Sequence, residues 1–313
     1  MSLCLPTTRI IDGGLSTQLE SSGVDLSIYP SSWTAGLLST TEGRTQLKDA
    51  HRAFIDNGAD IVLTSSYQTT PSTPSAQLNH SVTLATLAAS ESGGAASVFL
   101  SLGPYGATLA DGSEYTGVYP GESGSHSALK TFHTDRLSKL LVNPVDGLAF
   151  ETIPNCTELD VILEILADST TPASSLPAWI TFSSSTGAAL CDGTPLATAV
   201  HSLLPSFHAA TVPRYFGLNC VHPQCVDVFL DIVLPIVAEN ERGVAGIVLY
   251  PNNGGTWDAV SREWVEVDGG AGFVDKAGAW RDRIVAKGLE CLVGGCCSTD
   301  CRTVKGLRER LIK

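Results

Sequence analysis

The chain has 313 residues and a formal net charge of −13, which argues against a nucleic-acid partner because grip on a phosphate backbone relies on clustered Lys and Arg. No apolar run approaches the ~18–20 residues of a membrane helix, and Met1 to Pro6 lacks the long apolar core of a signal peptide, so a soluble, cytoplasmic protein is expected. Hydrophobic residues at 43% against charged ones at 16% suit strands buried on both faces, and nine cysteines, an odd number in a large chain, suit a reducing compartment where thiols bind metal or fill the core.

Taken in order, Arg9 to Asp12 reads as a first strand that stops at Gly13-Gly14. A carboxylate at a strand exit beside two glycines is placed for a ligand, although capping the helical stretch Leu15 to Glu20 explains Asp12 equally well. A helix is predicted from Thr45 to Asn57, with Leu47, Ala50, Phe54 and Ile55 on one face and Gly58 as its stop. His51 within it reads as a packed or solvated residue rather than a ligand.

The strand Asp60 to Thr64 follows, then a weak helical pattern around Val82 to Ala89 and the strand Ser97 to Ser101. Tyr105 to Ser127, rich in Gly, Ser and Tyr and without helical period, is expected to be a lid or a floppy loop. Gly147 to Phe150 is a strand that delivers Glu151 at its end, ahead of an amphipathic helix carrying Leu159, Ile162, Leu163 and Leu166.

Ala178 to Phe182 and Tyr215 to Asn219 are the fifth and sixth strands, the latter leading into Cys220. Ala245 to Tyr250 is the seventh and exits into a loop bearing Trp257 and Trp264. The eighth, Leu289 to Val293, runs into Gly294-Gly295-Cys296-Cys297, and a last helix from Ser298-Thr299-Asp300 ends in Arg308, Arg310 and Lys313. Eight apolar strands with helical patterns between them, and no composition break, predict one α/β domain over residues 1–313, a (β/α)8 TIM-type barrel.

Catalytic groups in that fold come from the C-terminal ends of different strands, so Asp12, Thr64, Glu151, Cys220, Cys296 and Cys297 are expected at one mouth. Neighbouring cysteines on a regular strand point to opposite faces, so Cys296 and Cys297 can serve one centre only where the strand breaks, as a glycine pair permits. Two thiolates are one short of the three protein ligands of a catalytic zinc site, and Cys220, at another strand exit, is the best third. Three thiolates make zinc a poor Lewis acid toward carbonyls and well matched to a substrate thiol, which it would deprotonate at neutral pH. Cys225 and Cys301 fall at helical positions and read as packing, and Cys4, Cys156, Cys191 and Cys291 show no partner pattern.

Across nearly its whole length the sequence resembles the homocysteine S-methyltransferases. The resemblance rests on Asp12-Gly13-Gly14, Thr64 through Tyr67-Gln68, Leu102 to Gly106, Asp111-Gly112-Ser113-Glu114-Tyr115-Thr116-Gly117, Glu151 to Asn155, Asp192 to Pro195, Asn219-Cys220, Tyr250 to Asn253 and Gly294 to Cys297. It implies a zinc-dependent barrel enzyme that methylates homocysteine to methionine, with Cys220, Cys296 and Cys297 as metal ligands. It further implies Asp12 and Glu151 near the ammonium group of homocysteine, and Thr64 as a hydrogen-bond partner of the amino acid. The reaction is an in-line displacement by a thiolate on a positively charged donor, with no general base required. Tyr67, Tyr105, Tyr115 and Trp257 are candidate aromatic faces for the donor cation, or packing residues.

Family donors are S-methylmethionine, S-adenosylmethionine and betaine. The betaine enzymes carry a C-terminal extension, whereas this chain stops soon after its last helix, so a sulfonium donor is expected, with S-methylmethionine ahead of S-adenosylmethionine. Two departures stand out: the segment between Gln68 and Ser81 looks short and lacks a glycine-phenylalanine element, and Ser298-Thr299-Asp300 stands where a glycine is common. The competing readings are a zinc-holding or thiol redox-sensor barrel, which leaves Asp12 and Glu151 idle, and a lyase or hydrolase using that pair as acid and base, which leaves the three cysteines unexplained.

Overall fold

The computed structural model describes residues 8–30, 32–207, 213–240, 243–258, 263–266 and 272–312, and the account below concerns these. The strands are β1 (Thr8–Ile10), β2 (Ile61–Leu63), β3 (Ser97–Leu102), β4 (Gly147–Ile153), β5 (Ala178–Phe182), β6 (Tyr215–Asn219), β7 (Gly246–Tyr250), β8 (Gly255–Asp258), β9 (Glu263–Glu266) and β10 (Glu290–Val293). The helices are α1 (Leu15–Ser21), α2 (Thr41–Asp56), α3 (Ser75–Glu91), α4 (His126–Leu140), α5 (Cys156–Ala167), α6 (Leu196–Leu203), α7 (Pro223–Glu239), α8 (Val274–Val285) and α9 (Cys301–Leu311).

Eight strands pair in parallel in the order β1-β10-β7-β6-β5-β4-β3-β2, and a bridge between Ile11 and Ile61 brings the two ends together. Backbone bonds from Asp12 to Ile61 (3.0 Å) and from Asp60 to Ile10 (2.7 Å) complete that seam. This is the expected (β/α)8 barrel. The β8–β9 hairpin, antiparallel and outside the barrel, occupies the loop after β7; the side chains of Trp257 and Trp264 lie outside the described residues. No helix among the described residues is long and apolar enough to cross a membrane.

Period-two alternation gives the central barrel strands two buried faces. One set of residues, including Ile11, Ile61, Phe99, Ala149, Trp179 and Val248, fills the lumen, with Phe99 and Trp179 stacked at 4.8 Å between ring centroids. The other set packs outward against the helices, as Leu100, Phe150, Ile180 and Phe216 do. Burying an aliphatic or aromatic side chain of this kind contributes roughly 1.5–3 kcal/mol, so the two layers together hold the strand exits rigidly.

Helix boundaries follow their caps. α2 starts four residues earlier than the apolar period suggests, because Thr40 Oγ1 accepts the Gly43 amide at 3.0 Å and Glu42 sits in the first turn. α3 likewise begins at Ser75, ahead of its visible apolar face. Asn155 caps α5 by accepting the Glu158 amide at 2.9 Å, and Asp300 caps α9 by accepting that of Arg302 at 2.9 Å.

β4 differs from expectation in a way that matters. It continues past Phe150 to Ile153, with a register shift between those residues against β5, and Thr152 adopts a left-handed φ of 63°. Glu151 therefore lies inside the strand rather than after it, on a bulge that re-aims side chains at the barrel mouth.

Candidate active site and metal centre

Parity along the strands decides what reaches the mouth. Two residues beyond the lumen positions Ile61, Phe99, Ala149, Trp179 and Val248 stand Leu63, Ser101, Glu151, Thr181 and Tyr250, the uppermost layer before the loops. All but Thr181 line a cavity of about 880 Å3. The same cavity is lined by Asp12, Thr64, Glu151, Cys220, Cys296 and Cys297, so the six strand-exit residues singled out from the sequence converge there.

The thiols come from two strand exits. Cys220 follows β6 with a left-handed φ of 53°, a conformation unusual without glycine. It is braced from behind: Asn219 Oδ1 accepts the Thr152 amide and Asn219 Nδ2 donates to Thr152 Oγ1, both at 2.7 Å. Thr152 and Cys220, both left-handed, are thus locked together across β4 and β6.

The Cys296–Cys297 turn is stitched into the first strand exit. Gly294 and Gly295 both keep negative-φ or extended backbone and serve close approach instead: a Cβ on Gly294 would lie 2.7 Å from the Asp12 carbonyl oxygen, and one on Gly295 would lie 2.3 Å from Thr299 Oγ1. The left-handed residue of this turn is Ser298, at φ 59°, a conformation that favours glycine. The Cys296 amide donates to Pro251 O at 2.9 Å, and the Ser298 amide to Thr17 Oγ1 at 3.0 Å.

Cys220 Sγ lies 3.3 Å from Cys297 Sγ, Cys296 Sγ lies 3.9 Å from Cys297 Sγ, and all three fall within 4.8 Å of one another. A tetrahedral zinc with Zn–S near 2.3 Å separates its sulfurs by roughly 3.8 Å, so the triad fits zinc with small side-chain adjustments. Hydrogen bonds from Cys296 and then Cys297 hold Cys220 well below the usual thiol value, and those same bonds push Cys296 and Cys297 up. Of the three, Cys220 is the thiol most readily ionised, and a divalent cation would favour the thiolate form of all of them. Among the described residues no other group of three such side chains is close enough to hold an ion, and Cys225 packs with its thiol toward Ser185 O at 3.5 Å.

The carboxylates are buried beside the thiols. Asp12 Oδ2 accepts the Leu63 amide at 2.7 Å, which ties β1 to β2; burial pushes its pKa well above the carboxylate range, the Leu63 bond opposing and the charge of Glu151 adding. Glu151 accepts a short hydrogen bond from Ser101 Oγ. Burial pushes it up to about 7, against hydrogen bonds from Ser101 and Tyr250 that pull it down. Two carboxyls raised in this way want a cation between them. Thr64 has its hydroxyl engaged already, 2.6 Å from Ser66 Oγ and accepting the Ser101 amide at 3.1 Å, so its visible work is bracing β2 to β3.

The long segment after β3 is a built roof. It winds through short 3-10 turns at Tyr105–Thr108, Ser113–Tyr115 and Gly121–Gly124, and Glu158 of α5 clasps it: Glu158 Oε1 accepts the Tyr105 amide at 2.7 Å and Oε2 accepts a short bond from the Tyr119 hydroxyl. His133 Nε2 meets Glu158 Oε1 at 2.7 Å, and Asn155 Nδ2 donates to Gly117 O at 3.1 Å. The roof brings the Tyr115 hydroxyl within 3.3 Å of Cys220 Sγ. Tyr67, Tyr115 and Trp33 line the cavity, whereas Tyr105 turns away to pack edge-on against Tyr119 and Phe132. Glu114, Asn219 and Tyr250 lie in segments that carry the family resemblance but had no role assigned from the sequence, and Trp33 and Ser101 were not singled out; for Ser101 and Tyr250, strand parity was a usable signal.

Fold and site together describe a (β/α)8 barrel whose mouth carries a cluster of three thiols close enough to hold a metal ion. The homocysteine S-methyltransferase family model matches residues 9–311. Homocysteine S-methyltransferase 1 from Zea mays is 34% identical, covering 96% of this chain and 94% of its own length, and the Arabidopsis thaliana enzyme of the same name is 35% identical over 96% and 93%. A selenocysteine Se-methyltransferase from Brassica oleracea var. italica is 32% identical over 97% and 88%. Among solved structures, the homocysteine methyltransferase MmuM from Escherichia coli in its metallated form superposes with a TM-score of 0.75 at 29% identity, covering 97% of this chain and 96% of that one. The chain belongs to the homocysteine S-methyltransferase family, and with it to the transferases.

Proposed function

We propose that this enzyme moves a methyl group from a sulfonium donor, S-methylmethionine ahead of S-adenosylmethionine, to homocysteine, giving methionine, and that residues 1–313 form one homocysteine-binding barrel domain. The observation that carries it is one cavity holding three metal-ready thiols beside two buried carboxylates. Cys220, Cys296 and Cys297 would hold Zn2+, which when bound supplies a deprotonated, fixed substrate thiol at neutral pH.

The chain's own residues do the rest. Asp12 and Glu151 receive the ammonium of homocysteine, whose arrival favours the ionised form of both, and Thr64 stiffens the wall beside them. Asn219 and the Gly294–Ser298 turn set the position of the accepting sulfur. The lumen layer below and the roof above exclude water. A bond forms between the homocysteine sulfur and the methyl carbon, the bond from that carbon to the donor sulfur breaks with its electron pair retained by the donor, and both products are neutral thioethers. The thiol proton has left to solvent before this step, so no side chain need act as a base.

The donor preference rests on charge. The cavity lining contains Asp12, Glu20, Asp111, Glu114 and Glu151 and no Lys, Arg or His among the described residues. S-methylmethionine, with a sulfonium and an ammonium against one carboxylate, carries a net positive charge, whereas betaine is net neutral. A cytoplasmic location accords with the eight described cysteines all being free thiols.

The test is methionine formation from homocysteine by zinc-loaded protein, with S-methylmethionine, S-adenosylmethionine and betaine supplied separately. Turnover with a sulfonium and none with betaine supports the reading. Turnover with betaine alone overturns the donor assignment, and no turnover by folded, zinc-loaded protein favours a zinc-holding or sensor role.

A further inference from the structure

Glu114 sits in the 3-10 turn Ser113–Tyr115 of the roof and lines the cavity above the thiols. Its place is set by its neighbours: Ser183 Oγ donates to the Glu114 carbonyl at 2.9 Å, and the next residue, Tyr115, reaches Cys220. Glu114 Oε2 is buried from solvent with no hydrogen-bond partner. A buried carboxylate oxygen left unpaired costs free energy unless a ligand completes it.

The other carboxylates at this depth are committed. Asp12 holds the Leu63 amide and Glu151 holds the Ser101 hydroxyl, both at strand exits, and one ammonium of homocysteine suffices for the pair. Glu114 is carried by the roof segment rather than by a strand exit, and its neighbour Tyr115 reaches Cys220, so its carboxylate lines the cavity where a second substrate would bring its methyl group to the sulfur. Burial, and after it the negative charge at Cys220 and Asp111, push the Glu114 pKa up to about 7, as expected of a carboxylate awaiting a cation.

We propose that Glu114 is the specificity-determining residue for the methyl donor, its carboxylate pairing with the donor's sulfonium charge inside the closed cavity. This rests on the sulfonium reading above and deepens it. Because the sulfonium loses its charge as the methyl leaves, Glu114 binds the ground state more strongly than the transition state. Its removal should therefore raise the donor KM without lowering kcat.

The experiment uses the zinc-loaded full chain as wild type, Glu114→Gln and Glu114→Asp. Steady-state kinetics are run with S-methylmethionine varied at saturating homocysteine, and calorimetric binding compares S-methylmethionine with methionine, the uncharged thioether one methyl smaller. Loss of a charge-assisted contact predicts a donor KM raised about tenfold or more in Glu114→Gln, with kcat held or increased. The KM for homocysteine and the zinc content should be unchanged, the preference for sulfonium over thioether should be lost, and Glu114→Asp should restore it in part. An unchanged donor KM and binding preference in Glu114→Gln would overturn the proposal. So would an equal loss of affinity for sulfonium and thioether, or lost zinc, since either marks a merely structural residue. Failure of the wild type to prefer the sulfonium at all would instead bring down the donor reading on which it rests, and the two failures are told apart by the wild-type arm.

Discussion

Glu151 shows how much one side chain can be asked to do. A carboxyl held near 7 by burial and opposed by two hydrogen bonds must lose its proton to receive an ammonium, so homocysteine binding should weaken as pH falls through 7, by up to tenfold per unit. Glu151→Gln should raise the homocysteine KM by about ten- to a hundredfold, the loss expected of a charge-assisted contact, and make that pH dependence shallower, leaving the part that comes from ionising the substrate thiol, while zinc stays bound. Kinetics from pH 6 to 8 with a parallel metal assay check this; a variant that keeps the pH profile contradicts it. His51 makes the complementary case for stability. It is fully buried in α2 with neither ring nitrogen hydrogen-bonded, and burial lowers its pKa to about 4. The unfolded chain takes up this proton near pH 6.5 and the folded one only near 4, so its contribution is intact above 6.5 and fades as pH falls between those values, by about 3 kcal/mol in all. His51→Leu should remove most of that acid sensitivity, measured as urea midpoints at pH 5 and 8; equal midpoint differences at the two pH values would count against it. The sequence left His51 open as packed or solvated, and the structure shows it packed, but burial without a partner left no trace in the sequence.

At the level of elements, the roof shows why a stretch without helical period is not a floppy one. Residues 105–124 hold together through Glu158, Asn155 and Ser183, partners supplied by α5, its cap and the β5 exit, and such long-range contacts are invisible to periodicity. Glu158→Ala should unclasp the roof, cost about 1–3 kcal/mol through the buried groups it leaves unpaired, and raise both substrate KM values. Hydrogen exchange should show residues 105–119 losing protection while the barrel strands keep theirs; unchanged exchange there would show that the clasp does not hold the roof. The strands themselves were legible because parallel strands buried on both faces read as short apolar runs. The β4 bulge was not, since nothing in Gly147 to Ile153 signals that Thr152 turns left-handed; its partner Asn219 lies on another strand. Even the glycine pair was only half legible: a backbone break was evident, while the tight approach to Asp12 and Thr299 emerges only once β1 and β10 lie side by side.

For the whole molecule, the division of labour is between a barrel that stands on its apolar layers and a thiol cluster set on its rim. Eight strands packed inside and out need no ion to fold, in contrast to small domains that are unfolded without zinc. Chelation should therefore leave the far-UV circular dichroism unchanged and abolish methionine formation, with activity returning on zinc addition; loss of secondary structure with the metal would contradict this. The convergence of Asp12, Glu151, Cys220, Cys296 and Cys297 was readable from the sequence because a barrel gathers its strand exits whatever their separation along the chain. Glu114 lies in the quoted segment Asp111 to Gly117, but nothing there distinguishes it from its neighbours, because its unpaired buried oxygen appears only once the roof is folded. The central claim is that three thiols of this rim hold zinc and leave one position for the thiol of homocysteine. X-ray absorption at the zinc edge tests it most directly: three sulfur neighbours near 2.3 Å are expected in the zinc-loaded protein and four once homocysteine is added. Two or fewer sulfurs, or a count that homocysteine does not change, would contradict it.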